Sequence, residues 1–373
     1  MKVMFGKTIV KWVILVSNIA AAFFMLMTLV GSVLSPEIFI LPAYFALVFP
    51  IVIFINVAFV IIWLLARKWL FLISLSVLFF SAKEINNTFP VHVGKTESAP
   101  FNNPIRLLTY NTRMSGELKK HTRRNPNKVI QYILDSDADI VCLQEFTVSG
   151  NNEYLTEKDI IRIFKKYPYK HIQYKQKLKE NLKLSGIATF SKYPIINKQL
   201  IDYPSYYNVS IFSDINIHGK IIRFVNNHLE SNRLTEHDKN MPIMLKNNFD
   251  TKDLKGITLH FSHKLAIAYK LRSIQADAVA KIITASPYKV IVCGDFNDVP
   301  TSYAYTTVKG KLKDAFAETG NGLGWTFNER YYHFRIDFVF YDPLAFTPIQ
   351  YKTDKVNYSD HYPVFCKLNI NDI

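Results

Sequence analysis

The segment VIVCGDFNDVP, residues 290–300, passes from an apolar run directly into a cluster of acids and an amide. Asp295, Asn297 and Asp298 stand together at the point where this strand-like run ends. Carboxylates beside an amide are suited to binding a hard cation, positioning a water molecule or contacting a phosphate. The segment is therefore a candidate for phosphate or metal chemistry.

Two other interpretations of this segment are an Asx turn and a calcium-binding loop. Asp and Asn are favoured in the turn that follows a strand, so an Asx turn explains the same residues. A calcium loop is excluded by its spacing, because the sixth position counted from Asp295 is Pro300 in place of Gly and the twelfth is Thr306 in place of Glu. For this segment alone, turn and active site both stay open.

Other apolar runs along the chain end in the same way. The polar residues that follow them are Asn111, Glu145, His228, Asp337 and the adjacent pair Asp360 and His361. Strand ends on a rigid sheet hold side chains with the accuracy that multi-residue catalysis requires. We therefore expect these residues to meet at one site.

Glu145 and His361 each have a chemical interpretation and a simpler one. Mg²⁺ prefers carboxylate oxygens and keeps several waters, so Glu145 with an Asn and a phosphate oxygen is a sufficient site. The alternative is a strand-end Glu in a salt bridge. A His oriented by a carboxylate is more basic, which suits a general base, and Asp337 is the candidate partner of His361. Asp-His pairs are also common in loops, so this motif is weak in isolation.

Strand and helix patterns alternate in the part of the chain that carries these residues. Apolar residues at helical spacing predict helices in residues 128–139 and 263–285, and His218-Gly219 predicts a hairpin turn. Because hairpins and crossovers both occur, we expect an α/β fold with mixed sheets in a layered sandwich. The predicted strands are IRLLTYN, DIVCLQE, GIATFSK, NVSIFSDINI, KIIRFVNNHL, KVIVCGDF, RIDFVFYD and HYPVFCKLNI.

Long apolar segments precede this domain. Residues 9–34 and 38–66 each exceed the ~20 residues that cross a bilayer, and Lys11 is their one charged residue. Residues 69–82 form a shorter apolar run of roughly 21 Å as a helix. We predict three transmembrane helices over these ranges. A cleaved signal peptide does not explain the first, because its apolar core is too long.

Cations flank these segments unevenly. None lies in the turn at residues 35–37, whereas Lys2, Lys7 and Lys11 precede the first segment and Arg67 and Lys68 separate the second from the third. By the positive-inside rule, three spans place everything after Ala82 outside the cytoplasm. The prediction is a multi-pass protein of the cytoplasmic (inner) membrane with a periplasmic domain. If residues 69–82 do not cross, the orientation inverts.

The chain divides by composition into a membrane anchor (1–82), a linker (83–103) and one domain (104–373). The formal net charge is +15, and much of it lies in residues 118–124 and 165–183. Such runs are either solvated surface or a positive field that attracts phosphate-bearing substrates or anionic lipid. Charge alone does not choose between nucleic acid and membrane.

Cysteines and histidines outside the motifs give weaker signals. Cys142, Cys293 and Cys366 lie inside predicted strands, where a free Cys behaves as a small buried apolar residue, so no disulfide framework is expected. Residues 232–262 resemble an inserted loop that caps the cleft or approaches the membrane. The loop and its edge carry His237, His260 and His263, whose spacing matches no structural zinc pattern.

Six short motifs in order along the chain resemble those of the endonuclease/exonuclease/phosphatase superfamily. They span about residues 104–373. This resemblance implies a four-layer α/β/β/α sandwich of the DNase I type and a metal-dependent phosphoester hydrolase, preceded here by a membrane anchor. The motifs are TYN at 109–111, LQE at 143–145, NNHLE at 226–230, GDFND at 294–298, RID at 335–337 and SDH at 359–361.

The resemblance also implies roles for the strand-end residues. Glu145 would ligate Mg²⁺, with Mn²⁺ as an alternative ion, and Asn111 would lie close by as ligand and substrate contact. Asp360 would be a second metal contact or a support for the metal site. Asp295 with Asn297 would position the attacking water and the phosphate. His361, oriented by Asp337, would be the general base or a phosphate-binding cation, and His228 would stabilise the charge on the phosphate. Arg113 departs from the acid that several nuclease members carry there.

The substrate is less constrained than the reaction. A phospholipid or sphingolipid headgroup is favoured by tethering to the bilayer, which is the one partner the anchor implies. A nuclease or nucleotide phosphoesterase is favoured by the two Lys-rich runs. A third hypothesis is a non-catalytic, membrane-anchored binding or scaffold protein on the same fold. The sequence leaves the oligomeric state open.

Overall fold

The computed structural model describes residues 2–92, 104–178, 182–233, 235, 238, 251–329 and 332–371. Its N-terminal part, residues 2–88, is helical and is called the helical unit below. Its helices are α1 (Lys2–Val33), α2 (Leu41–Phe45), a 3-10 turn (Ala46–Val48), α3 (Phe49–Leu65), α4 (Phe71–Phe80) and α5 (Ala82–Thr88).

Two helical stretches of this unit, Thr8–Val33 and Leu41–Leu65, are long and apolar enough to cross a membrane. The second differs from the unbroken span predicted over 38–66, because α2 and α3 each have a proline in their first turn, Pro42 and Pro50, and the 3-10 turn separates them. A proline begins a helix well but removes a backbone donor from a continuous one.

The predicted third span, residues 69–82, forms the ten-residue helix α4, which is followed directly by α5. The two are in helical continuity around Ser81, whose N–H donates to the Val77 carbonyl and whose carbonyl accepts from the Ile85 N–H. The helical path from residue 71 to 88 measures roughly 27 Å at 1.5 Å per residue. It packs against α1 and α3.

A buried polar network joins these helices. Asn18 Nδ2 donates to Ser74 Oγ at 2.5 Å, and Ser74 Oγ donates to Asn56 Oδ1 at 2.8 Å. Trp63 Nε1 donates to Asn18 Oδ1 at 2.9 Å. Because a buried amide without a partner is costly, the network fixes the mutual register of α1, α3 and α4.

The rest of the described chain, residues 104–371, is the α/β domain. Its strands are β1 (Pro104–Asn111), β2 (Ile140–Ser149), β3 (Tyr169–Leu178), β4 (Lys183–Ser191), β5 (Ile195–Ile201), β6 (Ser210–Ile217), β7 (Lys220–His228), β8 (Lys289–Asp295), β9 (Lys313–Asp314), β10 (Phe327–Glu329), β11 (Tyr332–Phe334), β12 (Asp337–Tyr341), β13 (Phe346–Thr353) and β14 (Val364–Ile370). Its helices are α6 (Lys128–Asp135), α7 (Glu157–Ile163), α8 (Thr251–Thr284), α9 (Tyr303–Lys309) and α10 (Ala315–Thr319).

These strands form two six-stranded mixed sheets and a small hairpin. The first sheet has the order β13-β14-β1-β2-β4-β3, the second has the order β5-β6-β7-β8-β12-β9, and β10 pairs with β11. The pairs β1–β2 and β7–β8 are parallel, and the other sheet pairs are antiparallel. β6 and β7 form the predicted hairpin at His218-Gly219.

Three apolar clusters define four layers. One fills the space between the sheets and includes Cys142, Cys293 and Cys366, which are free thiols. A second packs α6 and α7 on the outer face of the first sheet, and a third packs α8 and α9 on the outer face of the second. The predicted α/β/β/α sandwich is confirmed.

The structure differs from the sequence prediction mainly at the edges of the sheets. β3, β5 and β13 were not among the predicted strands, and each lies at an outer edge of its sheet. Edge strands keep one side in water, so their apolar pattern is weak. The predicted loop at 232–262 is also wrong in part, because its residues from 251 onward belong to α8.

The helical unit contacts the α/β domain directly. Tyr44 Oη donates to the Ser262 carbonyl at 2.8 Å, and Thr301 Oγ1 donates to the Ala46 carbonyl at 3.2 Å. Arg335 Nη2 donates to the Asn87 carbonyl at 2.6 Å. The first part of the predicted linker 83–103 thus belongs to α5, and residues 93–103 lie outside the described residues.

Candidate active site

Strand register places three of the strand-end residues side by side. In the second sheet Asp295 is directly opposite His228 on the parallel strand β7 and opposite Asp337 on the antiparallel strand β12. In the first sheet Asn111 at the end of β1 is opposite Gln144 on β2, next to Glu145. Since both groups lie at the same end of the sandwich, the predicted residues meet at its rim.

The local backbone is specialised at two of these strand ends. Glu145 has a positive φ of 49° and lies where the register of β2 with β4 shifts between Leu143 and Phe146. Such a bulge redirects a side chain, and here the partly exposed Glu145 carboxylate lines a cavity. Gly294 has φ 123°, and a Cβ there would lie 2.1 Å from the Asn227 carbonyl oxygen. Only glycine allows β7 and β8 to pair this closely beside Asp295.

Asp295 is the centre of the polar contacts. Its Oδ2 accepts a hydrogen bond from Asn111 Nδ2 at 2.9 Å and lies 3.7 Å from His361 Nε2 and 3.8 Å from His228 Nε2. Its Oδ1 accepts from the backbone N–H of Asn297 at 2.7 Å. Four predicted site residues thus surround one buried carboxylate. We call the set Asn111, Glu145, His228, Asp295, Asp337, Asp360 and His361 the strand-end cluster.

His361 lies between the carboxylates of Asp337 and Asp295. Asp337 was the predicted partner of this histidine. Its Nδ1 is 2.9 Å from Asp337 Oδ2 and donates to it. Burial lowers the pKa of His361, but the carboxylates of Asp337 and Asp295 outweigh burial and raise the pKa to about 10. Burial raises the pKa of Asp295 to about 6, against the opposing effect of His361. At neutral pH this favours an imidazolium beside an ionised Asp295.

His228 is buried on the other side of Asp295. Burial lowers its pKa, with the nearby Asp295 carboxylate acting in the opposite direction. A neutral imidazole can still donate one hydrogen bond. His228 is therefore suited to contact a phosphate oxygen without adding a full charge.

Glu145 and Asp360 form the part of the cluster best suited to a cation. Burial raises the pKa of Glu145, and the Asp360 carboxylate raises it further, while Arg113 acts in the opposite direction. Both carboxylates line the cavity and are partly exposed. Because two neighbouring carboxylates repel each other, a hard divalent cation fits this donor set. Ligand atoms of Asp295, Asp337 and His361 also lie within 4.8 Å of one another, but Asp337 and His361 already bond to each other.

Asn111 is oriented toward the carboxylates. Its Nδ2 donates to Asp295 and lies 3.4 Å from Glu145 Oε1, and its Oδ1 accepts the backbone N–H of Arg113 at 3.2 Å. In this orientation the Asn111 amide nitrogen faces both acids, and its oxygen accepts a backbone hydrogen bond. Its role as a ligand stays a prediction.

Two buried amides beneath the cluster were not identified from the sequence. Gln144 Nε2 donates to Asn226 Oδ1 at 2.7 Å, and Asn226 Nδ2 donates to the Ala188 carbonyl at 3.0 Å. They join the two sheets directly below Glu145 and His228. The available signal was an amide at an inward-facing position of an apolar strand, which needs a buried partner.

The remaining candidates lie away from Asp295. Asp298 is buried in an ion pair with Arg272 Nε at 3.0 Å, so this acid of the GDFND motif supports the loop. His260 Nε2 lies 3.0 Å from Asp238 Oδ1, which explains one histidine of the weak zinc pattern. His237 lies outside the described residues.

A cavity of about 560 Å³ opens beside the cluster. We call it the central cavity. Glu145, Asp295, Asp360 and His361 line one part of it, and polar residues that include Asn232, Arg233 and Glu329 also contribute. The remaining lining is largely apolar and is called the apolar side. The apolar side includes Leu47 of the helical unit, Ile257, Phe261 and Leu265 of α8, and Phe327 and Phe334 of the β10–β11 hairpin. The strand-end cluster and an apolar surface thus line the same cavity.

Two family models match the chain, one for each of its two parts. Residues 108–361 match the model of the Endonuclease/Exonuclease/phosphatase family. Residues 11–88 match a second model, which is described as a domain of unknown function. No curated protein matches this chain.

Solved structures give the same fold. An endonuclease/exonuclease/phosphatase from Beutenbergia cavernae DSM 12333 is similar with a TM-score of 0.51 and 15% identity over 72% of each chain. The human Nocturnin catalytic domain with bound sulfate anion is similar with a TM-score of 0.50 and 18% identity, over 73% of this chain and 97% of that one. At these identities the likeness concerns the fold alone.

Proposed function

Because the chain belongs to the endonuclease/exonuclease/phosphatase family, we propose that it is a divalent-cation-dependent phosphoester hydrolase centred on Asp295. The observation that carries this proposal is the convergence of Asn111, His228, His361 and the Asn297 N–H on that carboxylate. Their sequence positions are separated by up to 250 residues. Such a buried acid between two imidazoles serves no packing purpose that an apolar residue would not serve better.

The cluster divides the work of in-line attack on phosphorus. Asp295 accepts the proton of the attacking water, which Asn297 helps to position. His361 stays protonated, held by Asp337, and contacts the phosphate or the leaving oxygen, and His228 donates to a second phosphate oxygen. Glu145 and Asp360 would hold Mg²⁺ or Mn²⁺, which supplies charge stabilisation for the pentavalent state. Preorganised donors of this kind provide most of the catalysis for a reaction that builds up negative charge.

The helical unit is proposed to be a three-pass anchor of the cytoplasmic membrane, with the α/β domain on the outer side. Helix α2, the 3-10 turn that follows it and the end of α5 lie on the side of the α/β domain, as the contacts of Tyr44, Ala46 and Asn87 indicate. Arg67 and Lys68 lie between α3 and α4 at the opposite end of these helices. The uneven distribution of cations supports this orientation, with α4 and α5 together taken as the third pass.

The proposed substrate is a phospholipid or sphingolipid headgroup phosphoester. It is supported by the apolar side of the central cavity and by the contact between this cavity and the helical unit. A nuclease is the second candidate, and its support is the basic loop that follows β1. There Lys119, Lys120, Arg123 and Arg124 are exposed a few residues beyond Asn111.

Hydrolysis by the full-length protein in lipid nanodiscs tests the proposal. With Mg²⁺ the protein is expected to hydrolyse bis-nitrophenyl phosphate and to lose this activity on addition of EDTA. A parallel panel of phospholipid, sphingomyelin and plasmid DNA separates the lipid substrate from the nuclease. A wild-type protein that hydrolyses none of them with any divalent cation would favour the scaffold hypothesis.

A further inference from the structure

The central cavity has a wall that comes from the helical unit. Leu47 lies in the 3-10 turn between α2 and α3, and it lines the same cavity as Asp295 and His361. A segment that served only as an anchor would not need to reach the catalytic cavity. The contact therefore calls for an explanation beyond tethering.

We propose that the break between α2 and α3 is the entrance through which the alkyl chain of a lipid phosphoester passes from the bilayer into the central cavity. The helical unit would then be part of the substrate site. The inference rests on the proposed phosphoester hydrolysis at Asp295, and it adds the route and the binding place of the chain.

The break is held in place by the catalytic domain itself. Thr301, six residues after Asp295, donates its hydroxyl to the carbonyl of Ala46 inside the break. Tyr44 donates to the Ser262 carbonyl, and its ring meets the ring of Tyr269 edge-on at 5.8 Å. Both partners of Tyr44 are on α8. The position of Leu47 relative to the phosphate site is thus fixed from two sides.

Neighbouring residues of the break face different surroundings. Leu47 is half-buried against the cavity, whereas the next residue, Val48, is 40% exposed on the outside of the helical unit. Ile51 and Phe54, one and two turns further along α3, are also exposed. Outward and cavity-facing side chains are thus adjacent in sequence at the break.

The first half of α8 supplies a second apolar wall. Ile257, Phe261 and Leu265 are spaced four residues apart, which puts them on one face of the helix, and all three line the cavity. From Ala268 onward the same helix is packed on the sheet. The apolar part of the central cavity thus begins next to the phosphate site and continues toward Leu47 of the helical unit.

The β10–β11 hairpin closes the other side. Phe327 is bridged to His361, and their rings meet at 5.1 Å, while Phe334 lines the cavity. Burying apolar surface against an alkyl chain is favourable, and the apolar side chains of these walls offer such surface beside the strand-end cluster. The chemistry of the walls therefore favours a chain-bearing phosphate.

The test compares a chainless and a chain-bearing phosphate on the full-length protein in nanodiscs. Methyl phosphate and octyl phosphate, the latter below its critical micelle concentration, are used as inhibitors of bis-nitrophenyl phosphate hydrolysis. For the wild type we expect octyl phosphate to bind about tenfold or more tightly than methyl phosphate. Leu47→Trp, which fills the entrance, is expected to remove this preference and to leave the affinity for methyl phosphate unchanged.

Val48→Trp is the matched control, because the same bulk is added one residue away on the outer surface, and it should keep the octyl preference. If Leu47→Trp fails to fold, Phe261→Ala tests the α8 wall, with the 61% exposed Leu259 as the site of the control Leu259→Ala. Equal inhibition by both phosphates in the wild type, or an unchanged preference in Leu47→Trp, would overturn the inference. Absence of hydrolysis by the wild type would instead contradict the proposed function.

Discussion

The two sides of the central cavity are built in different ways. On the catalytic side, Asp295, His228 and Asp337 occupy opposed positions on three adjacent strands, and hydrogen bonds join Asp295 to Asn111 and Asp337 to His361. On the apolar side, Leu47 and Phe261 are half-buried and belong to a helix break and to the projecting half of a helix. Sheet register fixes positions accurately, whereas helix ends adapt more easily.

This difference suggests a division of labour. Catalysis requires groups held to fractions of an ångström, and a buried network of charges provides such positions. Binding an alkyl chain requires apolar area and tolerates small shifts. We therefore expect substitutions on the catalytic side to lower turnover and substitutions on the apolar side to change affinity for chain-bearing ligands. The predictions below test this contrast from the largest expected effect to the smallest.

Asp295→Asn is expected to have the largest effect. The amide cannot accept a proton from water. The substitution also removes the negative charge that His361 and Asn111 face in the wild type. Loss of a general base lowers the rate by about 10²–10⁴-fold, measured as kcat for bis-nitrophenyl phosphate. Asp135→Asn, at an exposed acid that ends α6, is the matched control. Near-normal activity of Asp295→Asn would remove the basis of the proposed mechanism.

Glu145→Gln is expected to abolish the effect of Mg²⁺ on stability. A cation that binds only the folded state at about 100 times its Kd adds about 2.7 kcal/mol to the free energy of unfolding. Thermal unfolding with and without Mg²⁺ should show a rise of several degrees for the wild type and none for Glu145→Gln. Glu153→Gln, at an exposed site, serves as the control. An equal rise in Glu145→Gln would place the cation elsewhere, for example at Asp295, Asp337 and His361.

The activity should depend on pH in a bell shape. Asp295 must be ionised to accept a proton, and since burial raises its pKa to about 6, activity should fall as the pH decreases through about 6. His361 must stay protonated, and with burial outweighed by Asp337 and Asp295 its pKa is raised to about 10, so activity should fall again as the pH rises through about 10. On each limb of the profile, activity should change about tenfold per pH unit.

Asp337→Asn sharpens this prediction. It removes a carboxylate that raises the pKa of His361, so the upper limb should move to lower pH. The lower limb should move to lower pH as well, because Asp337 also raises the pKa of Asp295. Profiles of kcat/KM between pH 5 and 10.5 check both shifts. An unchanged upper limb would exclude His361 as the group that titrates there.

Much of the catalytic side was predictable from the sequence, and the reason is physical. Each apolar run that ends in a polar residue marks a strand end, and strand ends meet at one rim, so Asp295, His228 and Asp337 could be grouped without coordinates. Gln144 and Asn226 could not be grouped in this way, because their pairing depends on how the two sheets face each other. The edge strands β3, β5 and β13 lacked a clear apolar pattern because one side of each faces water.

The apolar side was not predictable from the sequence. Leu47 is one of many apolar residues in the segment 38–66, and nothing in the spacing of that segment distinguishes it from Val48. Its place in the cavity follows from the hydrogen bonds that its neighbours Tyr44 and Ala46 make with Ser262 and Thr301, more than 200 residues away. Local periodicity reports which face of a helix is apolar, but it does not report which distant element that face meets.

Phe261→Ala is expected to have the smallest effect on turnover. It tests the contrast between the two sides of the central cavity at a residue of the apolar side. The side chain lines the apolar side of the cavity, so kcat for bis-nitrophenyl phosphate should change by less than about twofold, as for a change remote from the reacting atoms. Octyl phosphate should bind roughly tenfold more weakly, because about one apolar contact of the chain is lost. Leu259→Ala should change neither quantity. A large loss of kcat in Phe261→Ala would show that the two sides of the cavity are coupled, and the division of labour between sheet and helix would then be wrong.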